Sequence, residues 1–313
     1  MEHSLDLTYH WAGFSALVVF VIAYAFVMAE EFTHLRKSKP VVLAAGLIWG
    51  MIAIAYSNTP HYEMVEHEIR HSFLEYTELA FFLLVAMTYI NALEERNVFN
   101  SLKSWLIKNQ FSYRQLFWIT GVLAFFLSPL ADNLTTALVL CAVVVAVGSS
   151  SPKFVGLACV NIVVAANAGG AFSPFGDITT LMVWQAGQLD FLQFFALVIP
   201  SVVNYIIPAS IMHFFVSDHK PDVAETSVTI KYGGKTIILL GLLTIVTAVS
   251  FHNFLHLPPV FGMMTGLAYL QLYSFYIKIS VKDIEEQKYD FFENVARVEW
   301  DTLLFFFGVI LSV

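Results

Sequence analysis

Ser128-Pro129-Leu130-Ala131-Asp132-Asn133-Leu134-Thr135-Thr136 and Ser173-Pro174-Phe175-Gly176-Asp177-Ile178-Thr179-Thr180 are two versions of one phrase, 45 residues apart. Each has a proline, an aspartate three residues later and a pair of threonines, and each lies inside an apolar run. Proline removes a backbone donor and breaks or kinks a helix. A carboxylate at membrane depth is costly, so it marks a candidate functional site. The two phrases therefore read as interrupted membrane helices with an ionisable group at each interruption.

The rest of the composition fits that reading. Of the 313 residues 58% are hydrophobic and 13% charged, against about 25% charged in a soluble domain. The long apolar runs exclude a transmembrane barrel, which needs short alternating segments. The expected class is an all-α polytopic membrane protein embedded in lipid, with no nucleic-acid partner. The start, Met1–His10, is acidic and polar and lacks the basic region of a signal peptide. Cys141 and Cys159 lie in apolar runs and read as small core residues rather than a disulfide or metal pair.

A span takes about 20 apolar residues. Trp11–Ala29, Val41–Tyr56 and Ser72–Ala92 are spans, the last carrying Glu75 and Glu78. Between the second and third lies a polar stretch, Ser57–His71, with His61, His67 and His71 among glutamates. Glu94–Arg114 is amphipathic and basic, the signature of a helix lying at the membrane surface. Within Gln115–Val147 the first arm, Gln115–Leu127, would be about 20 Å long, too short to span a core of about 30 Å. That predicts a re-entrant hairpin over 115–148. Phe154–Ala168 and Ile178–Gly187 are predicted as one crossing with an unwound middle, over 154–187. Phe191–Phe215, Thr236–Phe251 and Pro259–Ile277 are further spans, and Thr302–Val313 opens another. The organisation expected is an N-terminal part, 1–71, a first transport repeat, 72–216, and a third part, 217–313. The last apolar run is short, which suggests a chain cut inside a membrane helix.

Charge placement supports the hairpin. With the Arg36 loop inside and the hairpin returning to its own side, 15 of the 16 Lys and Arg residues fall inside and only Arg70 outside. This obeys the positive-inside rule. A single crossing by 115–147 would move Lys153 and the Lys220–Lys235 loop outside.

Irregular backbone at membrane depth is tolerated where it lines a cavity or is buried in protein, and paired discontinuous helices point to a midplane binding site. Carboxylate, hydroxyl and carbonyl oxygens suit a hard monovalent cation. A carboxylate withdrawn from water can hold a proton until a cation displaces it. Asp132 and Asp177 are thus candidates for Na⁺ and proton binding. Each could alternatively serve only as a helix cap. Glu78, mid-span, is a candidate for a proton pathway or for a structural hydrogen bond. His61, His67 and His71 are candidates for pH sensing, their ordinary titration range being suitable, or for a solvated polar loop.

The stretches Leu84–Asn91, Ser128–Thr136 and Asn167–Thr180 resemble the NhaD-type sodium/proton antiporters of the ion transporter superfamily. The resemblance covers most of the chain from Glu75 onward. It implies an inverted-repeat fold with a re-entrant hairpin and a discontinuous helix in each repeat. It implies a homodimer in a bacterial inner membrane, exchanging Na⁺ or Li⁺ for H⁺ as substrates and using no cofactor. It implies that Asp132, Asn133 and Thr135, with Asp177 and Thr180, bind the cation, with Ser128 and Ser173 at the two breaks. A second Asp-Asn hairpin, expected of the family, is not found in this sequence, so the expectation is a complete first repeat and a truncated second one. Two other readings fit the residues less well. An oxyanion or dicarboxylate carrier would want a neutral or positive lining, which two aspartates do not provide. An intramembrane aspartyl protease would want a Gly-x-Gly-Asp loop, whereas Pro174-Phe175 precede Gly176-Asp177.

Overall fold

The structure, a computed structural model, describes residues 7, 9–57, 59, 62–109, 111–148, 151–220, 228–280 and 289–312. Every regular element among them is helical. In chain order they are α1 (Trp11–Met28), α2 (Glu30–Thr33), α3 (Ser38–Tyr56), α4 (Tyr62–Glu95), α5 (Val98–Lys108), α6 (Tyr113–Ala131), α7 (Asn133–Val147), α8 (Pro152–Gly170) and α9 (Ile178–Gln185). A 3₁₀ turn (Phe191–Leu197) leads into α10 (Val198–His213), followed by α11 (Gly234–Leu255), α12 (Pro259–Ser280), α13 (Phe291–Ala296) and α14 (Trp300–Ser312). Among the described residues eight helical stretches are long and apolar enough to cross a membrane: α1, α3, α4, α6, α8, Phe191–His213, α11 and α12. The protein is a polytopic α-helical membrane protein.

The chain forms two compact units, 1–87 with 295–313, and 88–294. In the first, α1 and α14 both pack on α3. Trp49 Nε1 donates to the Leu311 carbonyl at 2.7 Å, and Ser38 Oγ donates to Asp301. A Cβ on Gly308 would overlap Val41, so α3 and α14 approach backbone to backbone. Phe307 lies edge-on between Phe73 and Tyr76.

In the second unit α6, α7 and α8 pack on one another, and α10 packs on α6 and α8. On α6, Phe117, Gly121, Ala124 and Ser128 recur at helical spacing, and the non-glycine members of this face are buried. They meet a face of α8 containing Ala158, Ile162, Ala165 and Gly169. Lipid tails are as apolar as leucine, so small residues that permit close van der Waals packing hold membrane helices together. The same device joins α11 to α12, where Gly262 lies against Ala248 and Gly266 against Thr244. Cys141 and Cys159 are free thiols in the α7–α8 packing.

Three expectations are revised. The Ser57–His71 stretch is helical from Tyr62, because α4 continues for 34 residues, about 50 Å. Its polar turns are held by i,i+4 pairs, Glu66–Arg70 at 2.7 Å and His71–Glu75 at 3.6 Å. Pro129 does not end the first arm of the expected hairpin. α6 runs through it to Ala131, about 28 Å, close to the core thickness of about 30 Å, so arm length no longer argues for re-entry and only the charge placement does. Proline cannot donate to the Phe125 carbonyl, and Gly169 of α8 fits against that carbonyl where any Cβ would overlap it. The break falls at Asp132 instead. The surface helix is shorter than the amphipathic stretch, 11 residues, with Trp105 exposed and Leu106 and Ile107 buried.

Candidate functional site

α6 stops at Ala131 because Asp132 has φ 55° and ψ 159°, a conformation no helix continues through and one unfavourable for a residue with a Cβ. Its carboxylate caps the next helix. Oδ1 accepts from Thr135 N at 2.8 Å and Oδ2 from Thr135 Oγ1 at 2.7 Å. This satisfies an otherwise orphaned N–H of α7 and places negative charge at the positive end of the helix.

The second break repeats the chemistry. α8 ends at Gly170, and α9 begins only at Ile178. Asp177 caps α9 through Oδ1, which accepts from Thr179 N at 3.0 Å. Thr180 Oγ1 shares its proton between the Ser173 carbonyl, 2.9 Å, and the Asp177 carbonyl, 2.8 Å. That bond closes the intervening loop back onto the first turn of α9.

Asn133 welds the two breaks together. Its backbone N–H donates to the Gly176 carbonyl at 3.0 Å. Its side-chain Nδ2 donates to Asp177 Oδ2 at 2.9 Å and to Asn167 Oδ1 at 3.1 Å. The serines of the two phrases brace the join from opposite sides. Ser128 Oγ donates to the Ala166 carbonyl at 2.7 Å, and Ser173 Oγ donates to the Pro129 carbonyl at 3.1 Å. Both serines are buried. Each satisfies a carbonyl near the end of the other interrupted helix. The backbones touch here: a Cβ on Gly170 would sit 2.6 Å from the Gly176 carbonyl oxygen.

The result is one locus where two helix N-termini, two carboxylates and two helix C-terminal ends meet. Asp132, Asn133, Thr135, Asp177 and Thr180 are half-buried there, while Asn167 and Thr179 are exposed. Carboxylate and carbonyl oxygens can coordinate a cation, and the helix dipoles favour the ionised carboxylates that would attract it. Among the described residues no cluster of three His, Cys, Asp or Glu side chains suits a multivalent metal.

All seven residues expected at the cation site come together: Ser128, Asp132, Asn133, Thr135, Ser173, Asp177 and Thr180. Asn167 and the Gly176 carbonyl join them and were not singled out by sequence. Asn167 sits one turn before the end of α8, where a polar residue in an apolar run is itself a signal. Glu78, His67 and His71 belong to the other unit. There Glu78 is half-buried and the two histidines are exposed on α4. His61 lies outside the described residues. Ser173→Ala would leave the Pro129 carbonyl without its donor, a loss of about 1 kcal/mol. The expected outcome, measured as cation-driven proton movement in inverted vesicles, is a reduced but persistent rate.

Two interrupted membrane helices that meet at their breaks, each break carrying a carboxylate, define the architecture of a secondary transporter. Residues 11–313 match the citrate transporter family. The chain is 52% identical to the Na⁺/H⁺ antiporter NhaD of Vibrio cholerae, over 99% of its own length and 69% of that protein's. It is 51% identical to NhaD of Alkalimonas amylolytica, over 99% of this chain and 68% of that one. It is 31% identical to sodium/proton antiporter 1 of Arabidopsis thaliana, over 95% of this chain and 51% of that protein. The chain belongs to the NhaD antiporter family, within the wider citrate transporter match.

Proposed function

We propose that the protein exchanges Na⁺ or Li⁺ for H⁺ across a bacterial inner membrane, with Asp132 and Asp177 taking the cation and the protons in turn. Sequence identity of about half to bacterial NhaD antiporters over nearly the whole chain supports the exchange. The observation that carries the site is the Asn133 side chain bonded to Asp177 Oδ2 at 2.9 Å while its neighbour Asp132 caps α7. It ties the Asp177 carboxylate to the residue that follows Asp132. Protons on the aspartates and a cation between them compete for the same charge, which couples the two fluxes. Na⁺ and H⁺ are substrates, and no cofactor takes part. Asn133, Thr135, Thr180, Ser128 and Ser173 complete or support the site.

The remaining features fit this reading. The hairpin 115–148 is re-entrant and, with the broken helix 154–187, belongs to a first repeat spanning 72–216; 1–71 and 217–313 flank it. Loops rich in Lys and Arg face the cytoplasm, as the positive-inside rule requires, and the working unit is a homodimer. Glu78 lies on a proton route, and His61, His67 and His71 sense outer pH. Glu78→Gln is expected to move the pH profile of exchange with little change in maximal rate, read by dye-monitored proton flux over a pH series. An unmoved profile removes Glu78 from the route.

The match to citrate transporters favours one second reading, a carboxylate carrier. The two aspartates at the breaks oppose it. Inverted vesicles given Na⁺ and, separately, citrate distinguish the two. Proton movement driven by Na⁺ alone supports exchange; citrate uptake without cation-driven proton movement reverses the choice.

A further inference from the structure

The backbone N–H of Lys231 donates to the carbonyl of Arg96 at 2.9 Å. This single bond ties the chain just before α5 to the chain just before α11. Everything between them, α5 to α10 with both breaks, lies in the stretch of chain that this bond closes. The incoming and outgoing strands of this stretch are tied again further along. Ser104 Oγ accepts from Val228 N at 3.1 Å, and Ser112 Oγ donates to Asp218 Oδ1 at 2.8 Å. Tyr113 N donates to the His219 carbonyl at 2.9 Å, and Arg114 Nη2 donates to the Val216 carbonyl at 3.2 Å. These ties form a neck, and Arg96 stands at its root.

The root is built to stay fixed. Arg96 is fully buried. Its Nη2 pairs with Glu95 Oε1 at 2.8 Å, and its guanidinium carbon lies 4.7 Å from the centre of the Tyr289 ring. Glu95 Oε2 accepts from Asn294 Nδ2 at 2.6 Å. The Asn294 carbonyl accepts from Asn91 Nδ2 at 3.0 Å, which returns the network to α4. Tyr289 is buried, and its hydroxyl has no hydrogen-bond partner among the described residues. Burial pushes its phenol well above the usual range. The contribution of Tyr289 is therefore its ring face, on which a desolvated guanidinium is held. One residue on, Asn97 has φ 59°, and the chain turns there from α4 into α5. A buried charge with several partners is strongly disfavoured from leaving them.

We propose that Arg96 is a positioning residue for the exchange: with Glu95, Tyr289 and Asn294 it fixes the root from which the α5–α10 bundle, and so Asp132 and Asp177, is hung. The inference rests on the antiporter reading. Alternating exposure of the site to the two sides requires packed elements to switch between discrete arrangements, and a switching bundle needs a point that does not move. Loosening the root slows the switch and leaves cation binding at Asp132 and Asp177 unchanged.

Three variants of the full-length protein test this in inverted vesicles, with rates normalised to the protein present. Tyr289→Phe keeps the ring and is expected to match wild type. Tyr289→Leu removes it and is expected to lower maximal exchange about tenfold, with the half-saturating Na⁺ concentration held within roughly twofold. S104C/V228C, in a background with Cys141 and Cys159 replaced by Ala, sets two thiols where Ser104 Oγ lies 3.1 Å from Val228 N, and loss of free thiol on oxidation verifies the bridge across the neck. Its exchange is expected to survive bridging, because the neck stays closed throughout the cycle. An unchanged rate in Tyr289→Leu, or a raised Na⁺ requirement, overturns the proposal, as does arrest of exchange by the bridge. If Tyr289→Leu fails to accumulate, the bridged pair decides. Absence of Na⁺-driven proton movement in wild type would instead sink the antiporter reading itself.

Discussion

Asp177→Asn abolishes sodium-driven proton movement while the protein still reaches the membrane in normal amount. The substitution keeps the shape of the side chain and an oxygen for the Thr179 N–H, so α9 keeps its cap. It removes the charge. It also sets an amide –NH₂ against Asn133 Nδ2, which now donates to Asp177 Oδ2 at 2.9 Å. Hydrogen bonds to charged groups contribute about 1.5–3 kcal/mol, equivalent to about 10- to 150-fold, and loss of the charge that attracts the cation lowers exchange further. Asp132→Asn is the cleaner of the two charge removals. Thr135 Oγ1 can reverse its bond and accept from the new –NH₂, so the cap of α7 survives and only the charge is lost. Both variants are expected to be inactive, measured as Na⁺-dependent proton flux in inverted vesicles. Full activity in either removes that aspartate from the exchange.

Gly170→Ala is expected to have the largest effect on folding. Its added Cβ would lie 2.6 Å from the Gly176 carbonyl oxygen and 3.1 Å from Ser128 Oγ. The first of these is backbone, and it cannot move without disturbing Asn133 N, which donates to the same carbonyl. Overpacking of this kind costs about 1–3 kcal/mol or more. The tie between the α6–α7 and α8–α9 breaks should part, with loss of monodisperse protein in detergent and a lower unfolding temperature. Gly156→Ala is the matched control. It lies inside α8 with open space around it, and there alanine stabilises a helix by up to about 1 kcal/mol. A Gly170→Ala protein as stable as wild type would contradict the close approach of the two breaks.

The repeated phrase made most of the site legible, because a proline and an aspartate in hydrocarbon have few other uses. Proline position misled as to where the first break falls. Pro129 is absorbed into α6, since a membrane helix can leave one carbonyl without its donor when a glycine of a neighbour covers it. Asp132 breaks the helix through its positive φ, and nothing in an aspartate's identity announces that conformation. The polar stretch that opens α4 read as a loop because charged residues fill it, yet their i,i+4 spacing supports helix outside the membrane as well as apolar residues support it inside. The weld at Asn133 was only half visible. Asn133 stood in the phrase, but its partners Gly176 and Asn167 are 43 and 34 positions away. One offers only a backbone carbonyl, which every residue type possesses. The neck closed at Arg96 was invisible for the same reason, since its central bond is backbone to backbone.

On the proposed exchange, one site made by Asp132 and Asp177 holds either protons or a cation. Proton release on adding Na⁺ to the purified protein in weakly buffered detergent solution tests it most directly, without reference to flux or orientation. Wild type is expected to release protons on Na⁺ addition, and Asp132→Asn and Asp177→Asn are each expected to release fewer or none. Undiminished release from both variants would contradict the account and place the exchange elsewhere in the molecule.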